Sequence, residues 1–145
     1  MARILSIDYG QKRTGLAVTD PLKIIAGGLA TVPTSELLGF ILSYHAKETL
    51  ERIVVGEPSQ PNGQPSDNLP RVRAFVERLR KALPEVPVEY YDERFTSVLA
   101  HRTMLDGGLR KMQRRNKALV DEISATIILQ DYMASRKFSQ TIHLQ

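Results

Sequence analysis

Four carboxylates stand where a strand ends or a helix begins, and together they could hold divalent cations. Asp8 closes the apolar run Ile4-Leu5-Ser6-Ile7 and is followed by Tyr9-Gly10. Such a run reads as a buried strand. A carboxylate just past it is costly to bury unpaired, which favours a ligand role at the rim of a sheet. Glu93 follows the strand pattern of Val86, Val88 and Tyr90, Asp121 lies about one turn into an apolar-faced helix, and Glu57 follows Ile53-Val54-Val55-Gly56. Acids at the carboxyl ends of parallel strands meet in the crevice where open α/β sheets bind ligands. Their mutual repulsion calls for neutralisation by hard cations, Mg²⁺ or Mn²⁺. Two such ions about 3.5–4 Å apart activate water and stabilise the leaving oxygen in phosphodiester cleavage. Each acid also has a plainer reading. Asp8 could cap its turn, Glu93 could pair with Arg94, Asp121 could be a first-turn acid favoured by the helix dipole, and Glu57 could be a solvated loop residue.

Cations flank these acids. Arg102, Arg110, Lys111, Arg114, Arg115 and Lys117 lead into the helix of Asp121, with Asp106 the only acid in that interval. Lys12 and Arg13 lie in the turn after Asp8. Phosphate contact is the functional reading, and each contact would add salt dependence; a solvated loop is the alternative for the longer cluster. His45, His101 and His143 show no ligand spacing, and at 6% aromatic content no stacking platform for single strands is evident.

The positioning elements are legible from periodicity. Residues 3–8 and 14–19 read as a hairpin, and residues 24–32 as a third strand that Gly27-Gly28 bulges or bends. Thr34 is a candidate N-cap for a helix with Leu37, Leu38, Ile41 and Tyr44 on one face. Ile53-Val54-Val55 predicts a central parallel strand. Residues 58–68, with Asn62-Gly63, form a polar loop. A second helix starts near Asp67, with Leu69, Val72, Val76, Leu79 and Leu83 inward, and the alternation of Val86, Val88 and Tyr90 gives a fifth strand. Thr96 can cap a helix through Leu105 that Asp106-Gly107-Gly108 stops, and Asn116 can cap the last helix, which runs to about Lys137. The order β-β-β-α-β-α-β-α-α predicts an α/β, ribonuclease H-like fold: a mixed five-stranded sheet, a three-strand meander followed by alternating helices and strands, with helices on both faces.

One domain over residues 1–138 with a short tail at 139–145 suits a chain of 145 residues. The chain has no cysteines, which excludes disulfide and thiolate sites and suits a reducing cytoplasm. No signal-peptide pattern is present, and no apolar stretch approaches the ~18 residues of a membrane helix. A net charge of +4 permits a polyanionic partner without requiring one. No exposed apolar stripe decides between monomer and dimer.

Four segments carry a family resemblance: I-D-Y-G-Q-K-R-T-G-L-A-V at 7–18, V-V-G-E-P at 54–58 with N-G at 62–63, Y-D-E-R-F-T-S at 91–97, and V-D-E-I-S-A-T-I-I-L at 120–129. Over roughly residues 2–135 the chain resembles the YqgF family, ribonuclease H-like bacterial proteins similar to Holliday-junction resolvases and described as nucleases for the 5′ end of pre-16S ribosomal RNA. The resemblance implies that Asp8, Glu93 and Asp121 are the catalytic acids. The family's strand-4 motif commonly has an apolar residue where Glu57 stands, which sets Glu57 apart from these three; it could be an added ligand, because related nucleases place an acid after strand 4. The implied activity is a cytoplasmic, metal-dependent endonuclease on structured nucleic acid, with precursor ribosomal RNA favoured over branched DNA. Two other classes compete. Asp8-Tyr9-Gly10 resembles the first phosphate motif of actin-like ATPases, but those folds need two related domains and this length holds one. A non-catalytic nucleic-acid-binding module on the same fold is the other.

Overall fold

The computed structural model describes residues 2–58, 66–92 and 117–144, apart from the side chains of 117–120 and 137–144. Five strands form one sheet: β1 (Arg3–Asp8), β2 (Arg13–Thr19), β3 (Ala26–Pro33), β4 (Leu50–Glu57) and β5 (Val88–Asp92). Helix α1 (Leu37–Lys47) precedes β4, α2 (Leu69–Ala82) precedes β5, and α3 (Lys117–Leu144) follows. The spatial order is β3-β2-β1-β4-β5. β1 and β3 pair with β2 antiparallel, whereas β4 pairs parallel with β1 and β5. The mixed five-stranded sheet expected from the sequence is therefore present, with the meander on one side and the parallel strands on the other.

The two-residue period of the strands divides the core. Leu5, Ile7, Leu16, Ile53 and Val55 face α1 and α2, where Leu37, Ile41, Val72, Val76 and Leu79 meet them. Ile4, Ala17 and Val54 face the other way, onto Ala125, Ile128, Leu129 and Tyr132 of α3. β1 and β4 are covered on both faces, which is why each reads as a nearly continuous apolar run.

Several local expectations change. Thr34 does not cap α1: a 3₁₀ turn over Thr34–Glu36 comes first, and the Thr34 hydroxyl donates to the Gly10 carbonyl at 2.7 Å. β3 begins at Ala26, because Ile24 and Ile25 belong to a turn whose amides bind the Asp20 carboxylate at 2.7 and 2.8 Å. The expected irregularity at Gly27-Gly28 is real: Leu16 pairs with Ala30 and Ala17 with Gly28, leaving Leu29 as the extra residue of a bulge. α2 begins at Leu69 behind Asn68, and Val86 is buried in the turn before β5. α3 continues to Leu144, so residues 139–144, expected as a tail, are helical. The helix expected from Thr96 to Leu105, its Asp106-Gly107-Gly108 stop and the Asn116 cap lie outside the described residues.

Candidate active-site cleft

The cleft is assembled by a crossing of β1 and α3. Ser6 is fully buried on the α3 face of β1, and its hydroxyl donates to the Ala125 carbonyl at 2.7 Å. Two residues further along β1 is Asp8; four residues back along α3 is Asp121. Two strand residues advance about 6.7 Å and four helical residues about 6 Å. The Ser6 anchor thus brings both acids to the carboxyl end of β1. Both line a cleft of about 270 Å³, together with Tyr9, Gly10, Arg13, Gly56, Pro58, Ser66 and Asn68.

Gly15 makes this approach possible. It pairs with Asp8 across the hairpin, and a Cβ there would overlap the Asp121 backbone carbonyl. Only a bare Cα lets the first turns of α3 settle onto β2 beside Asp8.

Arg13 stands on the same face. Its Nε donates to Asp121 Oδ2 at 2.5 Å, with the two side chains 39% and 22% exposed. This is a short, charge-assisted contact. A residue expected to hold phosphate is thus joined directly to an expected metal ligand. Lys12 is exposed and does not line the cleft.

Glu57 closes β4 but faces α2, where it is 3.9 Å from Arg73 Nη2. Strand alternation gives Gly56, not Glu57, the cleft face. The structure therefore does not bring Glu57 together with Asp8 and Asp121. Glu93 follows Asp92, the last residue of β5, and lies outside the described residues, as do Arg102, Arg110, Lys111, Arg114 and Arg115; the side chain of Lys117 is likewise not described. Among the described residues no three histidine or acidic side chains form an ion cage. The described part of the cleft supplies two carboxylates, a donor chemistry that fits a hard divalent cation with a further ligand still to be added.

Sequence reasoning missed the side chains that clamp the backbone after Asp8. Asn68 Nδ2 donates to the Tyr9 carbonyl at 2.9 Å, and Thr34 Oγ1 donates to the Gly10 carbonyl at 2.7 Å. Thr14 Oγ1 lies 2.9 Å from Thr34 Oγ1 and accepts from the Gly10 amide at 3.4 Å. Asn68 takes the N-cap position of α2 without a side-chain capping bond, since its amide is turned to Tyr9 instead. Its Oδ1 is buried and has no hydrogen-bond partner among the described residues. An Asn before a helix reads as a cap, so nothing local in the sequence signals this long-range bond.

A family described as "RuvX: Holliday junction resolvase" matches residues 2–135. A protein of Phocaeicola vulgatus named "Putative pre-16S rRNA nuclease" is 65% identical, covering 95% of this chain and 99% of that protein. One of the same name from Bacteroides thetaiotaomicron is 63% identical, covering 95% and 100%. Among solved structures, Thermus thermophilus RuvC in complex with a Holliday junction substrate aligns with a TM-score of 0.54 at 18% identity, covering 93% of this chain and 96% of RuvC. That likeness shows the fold, which is ribonuclease H-like. The match along nearly the whole chain, with relatives above 60% identity, means that the chain belongs to the RuvX family, the family that its motifs resemble under the name YqgF.

Proposed function

We propose that the protein is a metal-dependent endonuclease that hydrolyses phosphodiester bonds in structured RNA, with the 5′ end of pre-16S ribosomal RNA as its substrate. The observation that carries this reading is the meeting of Asp8 and Asp121 in one cleft at the carboxyl end of β1, with Arg13 beside them. The names of the relatives support the RNA substrate.

Asp8 and Asp121 offer hard oxygen donors for Mg²⁺ or Mn²⁺, and Glu93 is the third acid assigned to the set. A bound divalent cation supplies charge neutralisation and activation of water for phosphodiester hydrolysis. The residues of the chain do the rest. The Ser6, Asn68 and Thr34 contacts hold the chain on either side of Asp8, at Ser6, Tyr9 and Gly10, before substrate arrives, as preorganised charge stabilisation requires. Arg13 presents a guanidinium fork suited to a phosphate oxygen. Lys12, Arg110, Lys111, Arg114, Arg115 and Lys117 are assigned to the backbone of the substrate. A cytoplasmic setting accompanies that substrate, and among the described residues no helix is long and apolar enough to cross a membrane.

The test is to incubate the purified protein with Mn²⁺ and two labelled substrates, a precursor 16S 5′-leader RNA and a four-way DNA junction, beside Asp8→Asn. Cutting of the RNA alone, absent in the variant, is the expected result. Cutting of the junction alone gives the resolvase reading that the family description supports. Binding without cutting of either substrate marks a non-catalytic module.

A further inference from the structure

The outer face of α2 carries a charge pattern that helix stability does not explain. Arg71, Arg73, Arg78, Arg80 and Lys81 are all exposed, against the single acid Glu77. Five cations and one acid leave +4 on this one helix, equal to the formal +4 of the whole chain. A helix dipole favours cations near the C-terminus and disfavours them near the N-terminus. Arg80 and Lys81, in the last turn, fit that rule. Arg71 sits in the first turn, which has no acid, and Arg73 lies just beyond; both oppose it.

The cations are also arranged. Arg73 and Arg80 lie over the Tyr90 ring, 5.9 and 5.8 Å from its centroid, and Arg80 Nη2 donates to the Val88 carbonyl at 2.8 Å. Arg71, Arg78 and Lys81 have no hydrogen-bond or ion-pair partner among the described residues. The helix starts in the cleft, where Asn68 bonds the residue after Asp8. From there its fourteen residues extend about 21 Å.

We infer that the outer face of α2 is a track for a phosphodiester backbone, holding the nucleic-acid strand that runs from the cleft. The inference rests on the nuclease reading above. Charge complementarity and continuity with the cleft favour nucleic acid over an acidic protein. Four of the five cations are arginine, whose planar fork matches phosphate oxygens.

The test is a fluorescence-anisotropy titration of a labelled 20-nucleotide single strand, as RNA and as DNA of one sequence, over a series of KCl concentrations. The variant is Arg71→Gln/Arg78→Gln/Lys81→Gln. Its Kd should rise at least tenfold at low salt for both strands, because backbone contacts carry no base information. The slope of log Kd against log salt should become shallower by about 2, at ~0.7 per contact on a single strand. Arg71→Lys/Arg78→Lys/Lys81→Arg should keep most of the slope, and Mn²⁺ affinity should stay unchanged in both variants. Wild-type Kd and slope in the neutral variant overturn the track while leaving the nuclease reading intact. Equal losses in the neutral and charge-keeping variants also overturn it, since the effect is then one of packing. A wild-type protein that binds neither strand overturns the track together with the reading beneath it.

Discussion

Arg13 and Asp121 are 108 residues apart in the chain and 2.5 Å apart in space. The pair ties the hairpin that presents Asp8 to the helix that presents Asp121. It also sets the guanidinium in competition with any cation that Asp121 would bind. Both side chains are partly solvated, so the pair itself is worth on the order of 1 kcal/mol or less. Arg13→Gln should therefore raise Mn²⁺ affinity severalfold, up to about fivefold, while weakening RNA binding. Calorimetric titration with Mn²⁺ reads the first effect and anisotropy the second. An unchanged or weaker Mn²⁺ affinity means that Arg13 does not compete at this carboxylate.

Asp8→Asn and Asp121→Asn separate binding from cutting. Each removes a charged oxygen donor and leaves the size of the side chain nearly unchanged. Both should lose Mn²⁺-dependent cleavage by at least a hundredfold, yet bind RNA within a few-fold of wild type. Wild-type cleavage by Asp8→Asn means that the site has been assigned to the wrong residues.

Gly15→Ala tests the close approach of helix and sheet. The added Cβ would overlap the Asp121 carbonyl, which is backbone and yields only if the helix moves with it. The start of α3 must lift from β2. Overpacking of this kind costs about 1–3 kcal/mol, read as a lower melting temperature. Cleavage should fall further than stability does, because the lift parts Asp121 from Asp8. A control at Gly27, where a Cβ meets nothing within 4 Å, should leave activity near wild type.

Much of this arrangement is visible in the sequence, for a physical reason. Strands covered on both faces must be apolar throughout, so Ile4–Ile7 and Ile53–Val55 announce the sheet centre, and polar residues at their ends announce its rim. The same patterns contain the expectation that Asp8 and Asp121 meet. Two things were not legible. Glu57 follows the same kind of strand as Asp8, yet register turns it to the α2 face, and a one-residue difference in phase is decided by pairing across the sheet. The contacts of Thr34 and Asn68 with the Asp8 turn join residues 24 and 59 positions apart, and capping residues look alike whether they cap or reach elsewhere.

Asn68→Ala removes the donor to the Tyr9 carbonyl and with it one of the clamps on the Asp8 turn. A typical loss of this kind costs about 1 kcal/mol of stability. If the clamp positions Asp8, kcat should fall about tenfold with little change in KM, and Mn²⁺ affinity should fall with it. Equal wild-type Mn²⁺ affinity and kcat, with a lower melting temperature only, would leave Asn68 a structural residue.

Asp20 supplies the pH-dependent prediction. Amides of Ile25, Ile24 and Leu22 donate to its carboxylate, and these bonds, that from Ile25 first, hold its pKa below the ordinary 3.8. A lowered folded-state pKa contributes stability that is present above the unfolded value and lost as pH falls through the folded one. The Asp20 contribution is therefore complete at neutral pH and disappears only below about pH 4. Asp20→Ala should melt below wild type at pH 7, and the gap should close as pH is lowered toward 3. A gap that stays constant from pH 7 to pH 3 would show that the charge of Asp20 does not hold the turn that displays Leu22, Ile24 and Ile25.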